Sequence, residues 1–334
     1  MREKGEIRIE LINGLQDHDW DRFVDESNNG TIFHKLKFLS YHKDSSINWH
    51  NLKFCRNGSL LAVLPGAIIN NEFRSPFCAS YGGFVLRSAV FADYVLLLDA
   101  FLKYCIEKGI HEVYLTLPPS FYFQKKNEIL EFVLRYKGFI LQKSLITNAS
   151  DLGVFSENKD DEEFLRHFPS SSRSQIRQSL QYAFQIEINE DYEGFYPILL
   201  DNKKKFASSP THTLEDLKRL QELFPENIKL FMAYEGAQKM PAAGVLVFVC
   251  NAGTALCFYI SQYYEFQQKR VVNRLLFEII KWCKRQNLRY LDLGVSVDTS
   301  HDNPMEPVRT LIYFKEKAAA SCGYLRSTYY KRIS

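Results

Sequence analysis

The fold is decided by residues 228–294, in which short apolar runs alternate with turns. The runs are IKLFMAY (228–234), AAGVLVFVC (242–250), TALCFYIS (254–261) and YLDLG (290–294). Each run has the length of a strand, and turn residues such as Asn251-Ala-Gly253 separate the first three. These three runs therefore predict an antiparallel meander.

The period of the apolar residues changes between the third run and the fourth. From Lys269 to Arg285 they recur at steps of three and four residues, which is typical of an amphipathic helix. They are Val272, Leu275, Leu276, Ile279, Ile280 and Cys283. A meander, a helix and a further strand predict a mixed sheet.

The first half of the chain repeats this order. A hairpin is predicted around Asn57-Gly58, followed by an extended piece at 77–85, a helix at 92–108 and a strand at 112–117. Two short matches relate the halves: Lys103-Tyr-Cys to Lys281-Trp-Cys, and Tyr114-Leu-Thr-Leu to Tyr290-Leu-Asp-Leu. The spacing predicts two copies of one α/β unit about 175 residues apart.

These patterns predict two domains, residues 1–150 and 151–334, with a polar and acidic linker at 150–161. Further helices are expected at 192–206 and 213–223, the second capped by Thr213. The run Ser170-Ser-Ser-Arg-Ser-Gln-Ile-Arg177 predicts another helix, on which Arg173 and Arg177 share one face. At this level a solvated basic helix is the favoured interpretation of the two arginines.

Composition limits the classes of function. The 334 residues are 46% hydrophobic, and 42 basic against 39 acidic residues leave a net charge of +3. These values argue against a disordered chain and against a polybasic nucleic-acid coat, so no DNA partner is expected. The six basic residues from Arg309 to Ser334 could face an anionic substrate, although a solvated end is the favoured interpretation.

The cysteines and the chain start indicate a compartment. Seven cysteines form no CxxC pair and no Cys/His cluster at zinc spacing, so neither disulfides nor a metal are expected. The first residues, MREKGEIRIE, lack the apolar core of a signal peptide, and no run is long enough to span a membrane. A cytoplasmic protein without a transmembrane segment is predicted; peripheral contact with a membrane stays open.

Five segments, taken in order, resemble the FemABX-like branch of the GNAT acyltransferases. They are FYPILL (195–200), LEDL (214–217), NRLLFEIIKW (273–282), YLDLG (290–294) and Phe314-Lys315. The resemblance covers residues 160–320 best and the first half mainly by architecture. It implies an α/β (α+β) fold of two tandem GNAT-like domains, each a mixed, mostly antiparallel sheet flanked by helices. It also implies that the second domain is catalytic and that the first shapes the substrate.

The resemblance implies an acyltransferase (class EC 2.3). The expected reaction is N- or O-acyl transfer from acyl-CoA to a cell-envelope or exopolysaccharide precursor, either a small molecule or a lipid- or nucleotide-linked sugar. One alternative is an aminoacyl-tRNA-dependent transferase of the peptidoglycan type. It is disfavoured because residues 203–224 are too short for the long helical hairpin of some such members. The other alternative is an inactive member that binds a sugar nucleotide or a partner.

Catalytic residues are implied by position within the resemblance. Phe314 and Lys315 match a pair whose cation stabilises charge in the transition state. Asp292 either accepts a proton or orients an amine, or it only forms a hydrogen bond at a strand end. After Lys315 a Phe-Gly-Gly element is expected, but Ala318-Ala-Ala-Ser-Cys322 occupies its place.

Donor and substrate residues are less distinctive. GNAT enzymes hold pyrophosphate in a glycine-rich loop at a helix start, whereas this region, Glu265–Asn273, has no glycine. Cofactor binding is assigned to Gln268, Lys269, Arg270 and Val271. Tyr81 and Gly82 match an aromatic-glycine element that binds the nucleotide precursor in peptidoglycan transferases, although an ordinary turn is the favoured interpretation. Tyr259 is also assigned to substrate binding.

Overall fold

A computed structural model describes residues 6–12, 14–155, 160–205, 208–298 and 301–333. The chain divides into two compact units. Unit 1 comprises Met1–Leu145 and Leu325–Ser334, and unit 2 comprises Ile146–Tyr324. The division thus falls within five residues of the predicted one, but it returns the last ten residues to the first unit.

The described residues of unit 1 form two sets of strands, four α-helices and two short 3-10 helices. The strands are β1 Ile7–Ile12, β2 Asn51–Arg56, β3 Ser59–Leu64, β4 Ala67–Ile69, β5 Glu72–Ser75, β6 Val85–Leu86 and β7 Glu112–Thr116. The helices are α1 Trp20–Asp25, α2 Leu36–Leu39, α3 Phe91–Glu107 and α4 Ile129–Tyr136. One set is ordered β1-β2-β3-β6 and is antiparallel throughout. In the other, β4, β5 and β7 lie side by side, with β5 parallel to β7.

The predicted hairpin and helix of unit 1 are present, but the extended piece at 77–85 is wrong. The strand lies earlier, at β5, and within 77–85 only Val85, the first residue of β6, belongs to a strand. Between them Cys78 and Gly83 have φ values of 56° and 86°, which a strand does not accommodate. The α3 side chains Leu97, Leu98 and Phe101 are fully buried in the core of this unit.

Two long strands contain residues of both units. They are β8 Ile140–Asp151 and β14 Ser321–Arg332. The segment Thr328–Arg332 pairs antiparallel with Glu112–Thr116 of β7. The basic residues expected in a solvated end therefore belong in part to a strand.

In unit 2 the strands lie in the order β8-β13-β12-β11-β10-β9. Its further strands are β9 Phe184–Asn189, β10 Ile228–Glu235, β11 Met240–Asn251, β12 Thr254–Gln262 and β13 Tyr290–Val295. Its helices are α5 Asp161–Arg166, α6 Ser170–Ser179, α7 Tyr192–Lys204, α8 Leu214–Leu223, α9 Val271–Arg285 and α10 Arg309–Glu316. The predicted meander is confirmed as β10, β11 and β12, which pair antiparallel.

Helix α9 packs its apolar stripe onto this sheet, because the spacing of its apolar residues places them on one face. Leu275, Ile279 and Cys283 are fully buried in the core of unit 2. The helix begins two residues later than predicted, since Arg270 adopts a left-handed conformation (φ 58°) immediately before it. The predicted end of α7, Phe206, and part of the predicted linker lie outside the described residues. No helix in the described ranges has the length and apolar character needed to cross a bilayer.

Candidate active site

The candidate site begins where two parallel strands of unit 2 stop pairing. Strand β12 pairs with β13 over only three positions, from Thr254–Tyr290 to Leu256–Asp292. Both strands continue beyond this register, β12 to Gln262 and β13 to Val295. Strands that diverge in this way leave main-chain groups near the opening outside their shared ladder. Gly294 and Val295, the last two residues of β13, lie beyond the paired positions.

Lys315 places an ammonium group against this opening. It is the one buried residue of α10, with 3% of its surface exposed. Its Nζ donates hydrogen bonds to the carbonyl oxygens of Gly294 (2.7 Å) and Val295 (2.8 Å). An ammonium has three protons, and the described residues provide no third acceptor for it. One N–H is therefore left for a ligand oxygen.

Burial and nearby charge act in opposite directions on this lysine. Burial lowers the pKa of Lys315 from 10.5 to about 8, although the Asp292 carboxylate favours its charged form. Even at this pKa the side chain is mainly protonated at neutral pH. Burial also raises the pKa of the Cys257 thiol, with Asp292 adding to the effect, so this cysteine stays a neutral thiol.

Asp292 fixes the turn to which Lys315 binds. The residue is fully buried, and its Oδ1 accepts hydrogen bonds from Thr147 Oγ1 (2.6 Å) and from the Gly294 N–H (2.8 Å). Gly294 has φ 78°, a value that favours glycine. A Cβ at Gly294 would lie 3.9 Å from Lys315 Nζ. Asp292 and Gly294 together orient the carbonyl that receives the lysine.

Phe314 and the residues after Lys315 support the site from the core side. Phe314 is partly buried and packs against the core of unit 2, and Ala319 is fully buried in that core. Ala320 has φ 46°. The segment in which glycines were expected therefore includes a left-handed residue, although the sequence provides an alanine.

The predicted donor residues lie together at the start of α9. Tyr264–Lys269 forms a 3-10 turn, and Arg270 and Val271 lead into the helix. The Lys269 ammonium forms an ion pair with Glu235 and lies 5.2 Å from the Phe266 ring centroid. Its charge is thus already neutralised. The cofactor-binding role of this loop stays a prediction, and Lys269 is its weakest member.

Tyr259 lies on β12 and is only 7% exposed. Its hydroxyl is 2.8 Å from Thr211 Oγ1 and 2.9 Å from His212 Nδ1. Lys203 Nζ lies 5.9 Å from the ring centroid. Burial raises the pKa of the Tyr259 hydroxyl, which therefore stays protonated and can act as a donor or an acceptor. Sequence reasoning missed the two partners Thr211 and His212.

Tyr81 and Gly82 belong to unit 1, whereas Lys315 belongs to unit 2. Tyr81 is 2% exposed and its ring contacts those of Phe33 and Tyr122. A Cβ at Gly82 would lie 2.4 Å from the Pro76 nitrogen, so close main-chain packing requires glycine there. Packing accounts for both residues, and their substrate-binding role stays a prediction.

Sequence reasoning also missed several groups around Lys315. They are Thr147, Cys257 and the carbonyl oxygens of Gly294 and Val295. Thr147 comes from β8, a strand that carries no clear apolar alternation, and carbonyl groups leave no trace in a residue pattern. Only Gly294, at the end of the YLDLG run, gave a signal for the turn. Within the described ranges no cluster of His, Cys, Asp and Glu is suited to hold a metal ion.

Comparisons with known proteins identify the fold. No family model and no curated protein sequence matches the chain. The crystal structure of FemX aligns with a TM-score of 0.70 at 15% identity, over 98% of this chain and 97% of that one. L-PGS from Bacillus licheniformis aligns with a TM-score of 0.59 at 10% identity, over 100% and 95% of the two chains.

A third solved structure shares the architecture expected from the internal repeat. It is a tandem GNAT protein from the clavulanic acid biosynthesis pathway, with a TM-score of 0.53 at 10% identity over 98% and 99% of the two chains. At these identities the similarity concerns the fold alone. The predicted α/β class with two tandem GNAT-like domains is confirmed, since the chain has the fold of FemX and of the tandem GNAT protein.

Proposed function

We propose that unit 2 is an acyltransferase that moves an acyl group from acyl-CoA to an amine or hydroxyl of a cell-envelope or exopolysaccharide precursor. The observation that carries this proposal is the buried Lys315 ammonium at the β12–β13 opening, with two N–H groups on main-chain carbonyls and one left over. The shared fold with FemX and a tandem GNAT protein supports the same reaction class.

The chemistry follows from the charge that develops during transfer. The acceptor nitrogen or oxygen attacks the thioester carbon, so a new C–N or C–O bond forms and the carbonyl oxygen becomes negative. Lys315 donates its remaining N–H to that oxygen and lowers the barrier. The C–S bond then breaks, coenzyme A leaves as a thiolate, and the acceptor's proton passes through solvent water to that thiolate, so free coenzyme A is the second product.

Asp292 acts by position in this scheme. Because its carboxylate is fully buried and binds Thr147 and the Gly294 N–H, it holds the turn that receives Lys315. Its negative charge also favours the ammonium form of the lysine. The alternative role, acceptance of the acceptor's proton, requires a water molecule between the two groups because the carboxylate has no exposed surface.

A second donor is favoured by one observation, the TM-score of 0.70 with FemX. The family resemblance assigns aminoacyl-tRNA to one branch of FemABX-like proteins. The chemistry at Lys315 is then unchanged, but an ester C–O bond breaks in place of the thioester bond. An inactive member that only binds a sugar nucleotide or a partner is the third candidate, and turnover with either donor excludes it.

The test is release of free thiol from acetyl-CoA in the presence of amino-sugar and polyol acceptors. Lys315→Met keeps the length of the side chain and removes the charge, so we expect kcat to fall by roughly a hundredfold or more. Lys317→Met is the matched control, because the Lys317 ammonium lies over the Tyr313 ring on the same helix end and does not reach Gly294.

Two results contradict parts of the proposal. Full turnover by Lys315→Met removes the lysine from the mechanism. A calorimetric titration without heat from coenzyme A or acetyl-CoA at millimolar concentration removes the acyl-CoA donor. Transfer from charged tRNA by the wild-type protein then identifies the second donor.

A further inference from the structure

A polar groove runs along the exposed face of α6 in unit 2. Its lining residues all carry N–H or O–H donors, and none is acidic. They are Ser170, Arg173, Ser174, Arg177, Gln178 and Gln181. Such a surface suits a ligand with several oxygen acceptors and negative charge.

The two arginines of the groove differ in their partners. Arg177 forms an ion pair with Glu162, at 2.6 Å between nitrogen and oxygen. Arg173 is partly buried, and its guanidinium has no acceptor among the described residues. Its charge is therefore available to a ligand, whereas that of Arg177 is shared.

Two hydrogen bonds hold α6 beside the predicted donor loop, and a third attaches it to the end of α10. Gln178 Nε2 donates to the main-chain oxygen of Gln268 (3.2 Å), and Asn273 Nδ2 donates to Gln175 Oε1 (3.2 Å). At the other end of α6, Ser172 Oγ donates to the main-chain oxygen of Lys317 (2.7 Å). The helix is thus attached both to the start of α9 and to the end of the segment that carries Lys315.

The donor loop itself is poorly equipped for phosphate. It has no glycine between Glu265 and Asn273, and the Lys269 charge is neutralised by Glu235. A guanidinium, in contrast, binds phosphate oxygens in pairs with fixed geometry. We propose that the α6 groove, through Arg173, binds the phosphate groups of the acyl donor. This inference rests on the proposed function and assigns the donor's phosphates to α6 in addition to the loop.

Phosphates at this site have two sources, coenzyme A and the acceptor arm of tRNA. Titrations of the full chain with coenzyme A, with phosphate-free pantetheine and with uncharged tRNA distinguish them. The variants are Arg173→Gln and Arg173→Lys. The control is Arg285→Gln, which removes the same charge from the exposed end of α9, about 22 Å along the helix from the donor loop.

We expect Arg173→Gln to weaken the phosphate-bearing ligand by about tenfold or more, since a charged hydrogen bond is lost. Arg173→Lys keeps the charge but loses the paired hydrogen-bond geometry, so its affinity should lie between those of the wild type and Arg173→Gln. Arg285→Gln binds as the wild type does, and pantetheine binds equally to all variants. Tight binding of coenzyme A identifies coenzyme A as the source of the phosphate groups, and binding of tRNA alone identifies tRNA.

Equal affinity in Arg173→Gln and Arg285→Gln overturns the inference, as does a wild-type protein that binds neither coenzyme A nor tRNA. Unchanged melting temperatures show that the variants fold. Failure of the proposed function is separable, because these titrations need no turnover. If both proposals are correct, Lys315→Met loses acyl transfer but binds the phosphate-bearing ligand as tightly as the wild type does.

Discussion

At the scale of the residue, Lys315 is unusual because α10 buries a charged side chain and leaves its apolar neighbours partly exposed. Tyr313 is 61% exposed, whereas Lys315 is 3% exposed. Placing an ammonium out of water costs free energy that two carbonyl hydrogen bonds and Asp292 only partly offset, which is why its pKa falls to about 8. A group that is costly to bury and linked to an open strand pair has the character of a functional residue.

This lowered pKa predicts how transfer depends on pH. In the proposed mechanism only the ammonium form donates to the developing oxyanion, so we expect kcat to fall as the pH rises through about 8. The measurement is a pH profile of kcat between pH 6 and about 10. The residual activity of Lys315→Met should lack this decline, and a decline that persists in that variant belongs to another group.

The free energy of unfolding is expected to rise with pH in the range where kcat falls. The folded pKa of Lys315 lies below its unfolded value of 10.5, so between about pH 8 and 10.5 the unfolded state binds more protons. The contribution of this residue therefore becomes more favourable as the pH rises through that window. Below pH 8 both states are protonated and the full cost of burial is present.

At the scale of the element, helices and strands with a clear local sequence pattern were predicted, and strands that depend on a distant pairing partner were not. The meander and α9 were predicted because their turns and apolar spacing lie within each segment. Strands β8, β9 and β14 were missed. Strand β14 contains Arg326, Lys331 and Arg332, and its pairing partner β7 is about two hundred residues away in the chain. No local pattern reports such a partner.

The two sites at which expected glycines are absent are also informative. Arg270 precedes α9 with φ 58°, and Ala320 follows α10 with φ 46°. The backbone conformation associated with glycine is thus present at both places without glycine. The missing glycines suggested that this backbone geometry was lost. The structure keeps it, with residue types for which a left-handed conformation is unfavourable.

Ala320 gives a direct test of this strain. Ala320→Gly should raise the free energy of unfolding by up to about 1 kcal/mol, because glycine has no Cβ to clash with the backbone in the left-handed conformation. Urea denaturation measures the change. The control is Ala319→Gly, which removes a fully buried methyl group and should destabilise the protein. A less stable Ala320→Gly protein contradicts the interpretation of strain.

At the scale of the whole molecule, unit 1 is discontinuous in sequence. Residues Met1–Leu145 form its main part, and Leu325–Ser334 complete it. Tyr329 of β14 is fully buried in the unit 1 core, with its hydroxyl donating to Glu131. The sequence predicted two units and their repeated order, but assigned these residues to the second, since a repeat does not report which copy a terminal strand joins.

Tyr329 should therefore matter for unit 1. Tyr329→Ala empties a fully buried position, and we expect a loss of about 3–5 kcal/mol in the free energy of unfolding. Tyr330→Ala is the matched control, since Tyr330 is the next residue of β14 and only partly buried. Urea denaturation with proteolysis of unit 1 as a second readout measures both. Equal losses contradict the assignment of Tyr329 to the core.

The discontinuity of unit 1 has a consequence for the order of events during translation. Residues 325–333 leave the ribosome after all of unit 2, so β7 has no β14 partner while about 180 further residues are synthesised. An unpaired strand edge in a nascent chain is a template for association with other chains. Synthesis of residues 325–333, and not emergence of the first 145 residues, is thus the step that allows unit 1 to close.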